Sequence, residues 1–162
     1  MSIDRIAVVG GGTMGNGIAH VAAQSGRSVR LLDVSQDVLD AAIATVAKNL
    51  DRQIKKGALD EAAKSGILGR IQTSTDLAAG VADADLVVEA VPEKMELKRS
   101  IFTTLDAAAP RGAILASNTS SISITQIAAV TKRPEQVIGM HFMNPVPVMQ
   151  LIEVIRGLAT SE

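Results

Sequence analysis

The chain has no cysteine, no tryptophan and no tyrosine, and only two phenylalanines. Without cysteine there is no disulfide, no thiolate nucleophile and no zinc–thiolate centre, and no metal site is expected. With almost no aromatic rings, successive bases have nothing to stack on, which removes the usual route to single-stranded nucleic acid. Excess charge is missing too: 16 Lys and Arg against 17 Asp and Glu leave a net charge of −1. There is therefore no global attraction to nucleic acid or to an anionic bilayer. No apolar run approaches the ~18 residues that a membrane span needs. The N-terminus leads into a strand pattern rather than a signal peptide. A cytoplasmic protein is expected, with neither nucleic acid nor membrane as partner.

What is present is aliphatic. Hydrophobic residues make up 47% of the 162 positions, so the core must be built from Ile, Leu, Val, Ala and Met. This length fits one domain, able to bury about 70% of its unfolded surface.

The organising stretch is Ile6-Ala7-Val8-Val9-Gly10-Gly11-Gly12-Thr13-Met14-Gly15. An aliphatic strand ends in Gly10-x-Gly12-x-x-Gly15, and an alanine-rich helix pattern starts at Thr13 and runs to Gln24. Gly10 permits a sharp turn, Gly12 lets a phosphate approach the backbone, and Gly15 lets helix and strand pack closely. Unpaired N–H groups and the positive dipole end of the helix, opening at Thr13 and Met14, suit a pyrophosphate. A second strand, Ser28 to Leu32, ends at Asp33, eighteen residues after Gly15. A carboxylate there can accept hydrogen bonds from both hydroxyls of an adenosine ribose and repel a 2′-phosphate, so NAD is favoured over NADP. Arg30, three residues earlier, could blunt that preference.

Further along, the pattern predicts helices from Ser35 to Gly57, from Asp60 to Leu68, from Lys94 to Ala108 and from Ile122 to Val130. Strands are predicted at Ile3–Val9, Ile71–Thr73, Asp85–Ala90, Ala113–Ala116, Val137–His141 and Leu151–Ile155, the last antiparallel to its neighbour. Strands alternating with helices predict a doubly wound, mostly parallel α/β sheet of Rossmann type, as one domain over residues 1–162.

A second constellation follows a buried strand. Ser117-Asn118-Thr119-Ser120-Ser121 is a run of small polar residues where an open α/β sheet binds ligands. Helix capping needs only one of them; the rest suit a ligand-facing loop. His141 ends the next strand. Two prolines, Pro145 and Pro147, then turn the chain towards Glu153. That path can set Glu153 beside His141 as a half-buried carboxylate that fixes the imidazole tautomer, a general-base arrangement. Arg52 and Lys56 are spaced i, i+4 on one helix face; they suit either a phosphate ligand or plain solvent.

The glycine turn, the Asn118-Thr119-Ser120-Ser121 loop and the segment His141-Phe142-Met143-Asn144-Pro145-Val146-Pro147-Val148-Met149 together resemble the 3-hydroxyacyl-CoA dehydrogenase family. The resemblance covers essentially the whole chain, as that family's N-terminal NAD-binding domain. It implies reversible, NAD-dependent oxidation of a 3-hydroxyacyl-CoA to a 3-ketoacyl-CoA, with 3-hydroxybutyryl-CoA and acetoacetyl-CoA as the expected pair. By resemblance, His141 is the general base, Glu153 orients it, and Ser120 hydrogen-bonds the reacting oxygen. Cofactor contacts are implied for Gly10, Gly12, Thr13, Met14, Gly15, Asp33, Glu93, Lys98, Asn118 and Asn144. Contacts to CoA phosphates are implied for Arg52 and Lys56. Met143 stands where the family usually has Phe, His20 where Gln is common, and Gly11 where Ala is usual. The family's helical C-terminal domain, which contributes dimer contacts and part of the substrate pocket, is not in this sequence; self-association and weak or absent turnover by this chain alone are expected.

Two other readings compete. One is an NAD dehydrogenase of a non-CoA hydroxy acid such as gulonate. The other is a bare NAD-binding module that serves a partner chain. A P-loop enzyme is disfavoured, since no Gly-Lys-Ser/Thr follows the glycines.

Overall fold

The computed structural model describes residues 2–162. Seven strands form one sheet: β1 (Arg5–Val9), β2 (Ser28–Leu32), β3 (Ile71–Ser74), β4 (Leu86–Glu89), β5 (Ile114–Ser117), β6 (Val137–Phe142) and β7 (Ile152–Arg156). Their spatial order is β3-β2-β1-β4-β5-β6-β7. The first six are parallel, and β7 runs antiparallel to β6. The chain winds outward from β1 to β3, then returns to β4 and winds the other way. The reversal leaves a crevice beyond the carboxyl ends of β1 and β4, where a doubly wound sheet takes its ligand.

Alternation along the strands splits the core in two. Val8, Val29, Leu31 and Val88 pack one side with α1 (Thr13–Gln24), α2 (Gln36–Lys55) and α3 (Glu61–Gly69). Ala7, Val9, Leu32, Val87 and Leu115 pack the other with α4 (Leu77–Val81), α5 (Met95–Ala108) and α6 (Ile124–Ala128). With so few rings, fully buried Leu39, Leu50, Leu105 and Ile127 do most of the filling, each contributing about 1.5–3 kcal/mol.

Side-chain caps set most helix starts. Ser35 accepts from Val38 N, Asp60 from Ala63 N, and Ser123 from Gln126 N. Because Ser123 caps it, α6 begins two residues after the sequence-predicted Ile122 and ends at Ala128 rather than Val130. β1 starts at Arg5 rather than Ile3, since the N–H groups of Asp4 and Arg5 turn to Asp85 Oδ2 instead of a ladder partner. The short helix α4 has no counterpart in the sequence-based reading. Its five residues carry no readable period; Asp76 caps it, and it stands because Gly80 lies against Leu32, where a Cβ would come within 2.3 Å of the leucine Cδ2.

A buried arginine closes the far end of α5. Arg133 Nη2 donates to the carbonyls of Leu105, Asp106 and Ala109, and its Nε to the Asp106 carboxylate. This satisfies the last-turn carbonyls that a helix leaves open.

Candidate active site and cofactor cleft

The glycine turn meets its geometric requirements. Gly10 has φ of 105°, and a Cβ there would lie 2.7 Å from the Ala90 carbonyl oxygen. A Cβ on Gly15 would lie 1.6 Å from Gly10 O, so the first turn of α1 rests directly on the turn below it. Around Gly12 nothing comes within 4 Å of a Cβ position. As the N-cap of α1, Gly12 offers no side chain to the first-turn N–H groups. The result is an open, donor-rich cradle of the kind that takes a pyrophosphate.

Asp33 closes the cradle at the end of β2, with Oδ1 accepting from Ser35 N at 3.2 Å. Arg30 does not reach it. Its guanidinium is 2.8 Å from Asp83 Oδ1 and also donates to Gly80 O, on the α4 side of the sheet. The expected blunting of the NAD preference by Arg30 is therefore corrected: on an extended strand, a residue three positions before Asp33 faces the other side.

Beside Asp33 lies a cavity of about 430 Å³ whose walls include Val34, Leu77, Val91, Pro92, Leu97 and Ile101. Val34 is 96% exposed at its rim. Sequence reasoning passed over this trough. The available signal was apolar residues clustered just past the carboxyl ends of β2 and β4, where solvated loops would otherwise be polar. An apolar slot next to a ribose-binding acid fits an adenine ring.

A second cavity, of about 300 Å³, opens on the other side of the glycine turn. Met14, Glu93, Asn118, Ser120, His141 and Asn144 line it, and Met143 completes one wall. His141 and Glu153 are direct cross-strand partners in the β6–β7 pair. His141 Nδ1 is 2.8 Å from Glu153 Oε2. A carboxylate only accepts, so Nδ1 carries the proton, and in the neutral ring the lone pair is on Nε2. All five residues of β7 are exposed, and the Glu153 side chain keeps 52% of its surface in solvent, so the carboxylate is only half-buried beside the imidazole. As the last strand of the sheet, β7 has a partner on one edge only. The turn before it is pressed onto α1, where a Cβ on Gly17 would meet Val146 at 2.8 Å.

Asn118 ties this strand end to its neighbours, with Oδ1 accepting from Phe142 N at 2.8 Å and its own N–H donating to Glu89 O. Glu93 reaches across to the loop that holds Ser120. Burial raises the Glu93 pKa, but the Thr119 hydroxyl and the Lys98 ammonium more than offset it and hold the carboxyl below its usual range. Lys98, implied by resemblance to contact the cofactor, is 1% exposed and stands behind Glu93. Arg52 and Lys56 are exposed at the far end of α2. Arg52 donates to Asn49 Oδ1, and Lys56 is the C-cap, so Lys55 shares the last turn with Arg52. Neither lines the His141 cavity.

A glycine turn opening a helix, a carboxylate at the end of β2 and an apolar slot beside it, at the reversal point of a parallel sheet, have the form of a dinucleotide-binding domain of the doubly wound class. The second cavity adds an imidazole, His141, that is backed by the Glu153 carboxylate. The profile of the family described as 3-hydroxyacyl-CoA dehydrogenase, NAD binding domain, matches residues 5–162, and the chain belongs to that family. It is 53% identical to a 3-hydroxybutyryl-CoA dehydrogenase of Bradyrhizobium diazoefficiens over 160 residues, 99% of this chain and 54% of that protein. A probable 3-hydroxybutyryl-CoA dehydrogenase of Bacillus subtilis is 51% identical, over 100% of this chain and 56% of that one. The crystal structure of (S)-3-hydroxybutyryl-CoA dehydrogenase from Ralstonia eutropha superposes with a TM-score of 0.96 at 50% identity, covering 99% of this chain and 56% of that one. The chain thus spans about half the length of the curated relatives it matches. Among the described residues, no helix is long and apolar enough to cross a membrane.

Proposed function

We propose that this chain is the NAD-binding half of a 3-hydroxyacyl-CoA dehydrogenase, with 3-hydroxybutyryl-CoA and acetoacetyl-CoA as the reacting pair. The observation that carries the reading is the His141–Glu153 contact of 2.8 Å, with His141 lining a cavity shared with Ser120 and with Met14 of the glycine turn. Bound NAD⁺ supplies the acceptor for the hydride that leaves the substrate 3-carbon. The main-chain N–H groups of Gly12, Thr13 and Met14 bind the pyrophosphate, and Asp33 accepts from the ribose hydroxyls. Glu93, Asn118 and Asn144 border the reactive end of the cofactor. His141 Nε2 takes the proton of the 3-hydroxyl as the carbon–oxygen bond becomes a carbonyl. Glu153 holds Nδ1–H and offsets the imidazolium charge that forms. The Ser120 hydroxyl donates to the substrate oxygen. In the reverse direction, His141 returns the proton. Positioned acid–base transfer of this kind is worth about 10²–10⁴ in rate. Arg52 and Lys56 contact the CoA phosphates, and the part of the relatives that lies beyond this chain, a helical C-terminal domain in the family, completes the acyl pocket.

A fluorescence titration with NADH, followed by an assay of acetoacetyl-CoA reduction, tests this. The chain is expected to bind NADH saturably and to turn over weakly until the helical domain is supplied. No NADH binding at saturating concentration would overturn the reading.

A further inference from the structure

Taking a lysine out of water is expensive, and replacing a buried ion pair by apolar residues is often neutral or stabilising. Lys98 nevertheless sits on α5 with its side chain 1% exposed. Its ammonium is 2.7 Å from Glu89 Oε1 and 3.3 Å from Glu93 Oε2. These two carboxylates differ. Glu89 ends β4 with no exposed side chain; it also accepts from Val91 N at 2.7 Å and the Ser117 hydroxyl at 2.6 Å. Glu93 is 38% exposed and could be solvated without help. Its Oε1 instead gathers four donors from one loop: the Thr119 hydroxyl, Ser120 N at 3.1 Å, Ser121 N at 3.3 Å and the Ser121 hydroxyl at 3.2 Å. One oxygen of Glu93 faces the buried cation and the other collects the loop.

We propose that Lys98 is a positioning residue for Ser120: its ammonium holds Glu93, Glu93 gathers the Thr119–Ser121 loop, and the Ser120 hydroxyl is thereby kept at the mouth of the His141 cavity. Glu89 is the buried counter-charge that keeps the ammonium in place. The role of the loop rests on the reading of Ser120 and His141 as the reacting pair. Its architecture does not.

Amide hydrogen exchange on the ligand-free chain, together with thermal melting, tests the arrangement. Glu93→Ala is expected to speed exchange at Ser120 and Ser121 about tenfold, with the Gly11 amide and Tm unchanged. Lys98→Met is expected to loosen the same two amides and also to lower Tm, because Glu89 is left buried and unpaired. Lys98→Met combined with Glu89→Gln is expected to recover Tm while the loop stays loose. Such protection as the double variant keeps should be lost, as pH is lowered, at a higher pH than in the wild type, as Glu93 has lost its ammonium. Should Lys98→Met not fold, the double variant and Glu93→Ala decide the matter. Wild-type protection of Ser120 and Ser121 in the double variant would overturn the proposal, leaving Lys98 as a mere balance for Glu89. Unchanged exchange in Glu93→Ala would overturn it as well. No cofactor or substrate enters the experiment, so a failure to bind NADH would sink the dehydrogenase reading separately.

Discussion

Asp33 and Gly11 are joined across the cofactor cleft: Asp33 Oδ2 accepts the main-chain N–H of Gly11 at 2.8 Å. The acid at the end of β2 is therefore held by the glycine turn before any ligand arrives, and its orientation is not set at the moment of binding.

A pre-oriented carboxylate makes a clear demand on the cofactor. Asp33→Ala is expected to weaken NADH binding about tenfold to a hundredfold, the usual worth of hydrogen bonds to a charged group. The same change should narrow the gap between NADH and NADPH, because a 2′-phosphate no longer meets a fixed negative charge. Arg30→Ala should leave the NADH-to-NADPH ratio unchanged, since Arg30 is engaged with Asp83. Fluorescence titrations with both cofactors read all three outcomes.

His141 and Glu153 should separate in kinetics. In a preparation that turns over acetoacetyl-CoA, His141→Gln is expected to lower kcat by about 10²–10⁴. Glu153→Gln should cost less, because this half-exposed carboxylate is partly replaceable by water. NADH affinity should be unchanged in both variants. A loss of cofactor binding instead of kcat would assign the pair to the cofactor site.

The basic end of α2 gives a salt-dependent test. Arg52→Glu with Lys56→Glu should raise KM for the CoA substrate about tenfold, and added salt should shrink the effect, as it does for exposed charges. A substrate analogue lacking the nucleotide phosphates should show no change.

His20 sets an acid limit on stability. It is fully buried between α1 and α2, Gln53 lies 3.3 Å from Nε2, and Nδ1 has no hydrogen-bond partner. Burial holds its pKa below the usual value of 6.5. As pH falls through 6.5, the unfolded chain binds a proton that the folded chain refuses. Stability therefore drops from about pH 6.5 downward and levels off only below the folded pKa. His20→Gln, measured by Tm from pH 7.5 to 5, should flatten this decline relative to wild type. An identical slope in both proteins would remove His20 as the cause.

Much of the site can be read in the chain because its determinants are local. The three glycines follow one another within a single turn, the acid ends the very next strand, and the caps Ser35 and Asp60 act within three residues of themselves. The His141–Glu153 pair was also readable, since one proline-bent turn can bring two adjacent strands back on each other in few ways. Lys98 shows where such reading stops. On a helix pattern it is one more charged residue, and resemblance assigned it to the cofactor; the sheet buries it beside Glu89, nine residues earlier. Arg30 and Arg133 are similar: their partners Asp83 and Asp106 are far along the chain, and only packing brings them together.

The chain's own pattern determined the α/β alternation and the glycine turn, because backbone freedom, strand period and capping are short-range effects, and it set His141 and Glu153 on strands that could meet. The tertiary structure alone decided which charges are buried, which face Arg30 takes, where the apolar slot beside Asp33 lies and how the Ser120 loop is held. Those depend on which distant residues share the limited volume of a close-packed core, and volume is not a property of any one stretch of sequence.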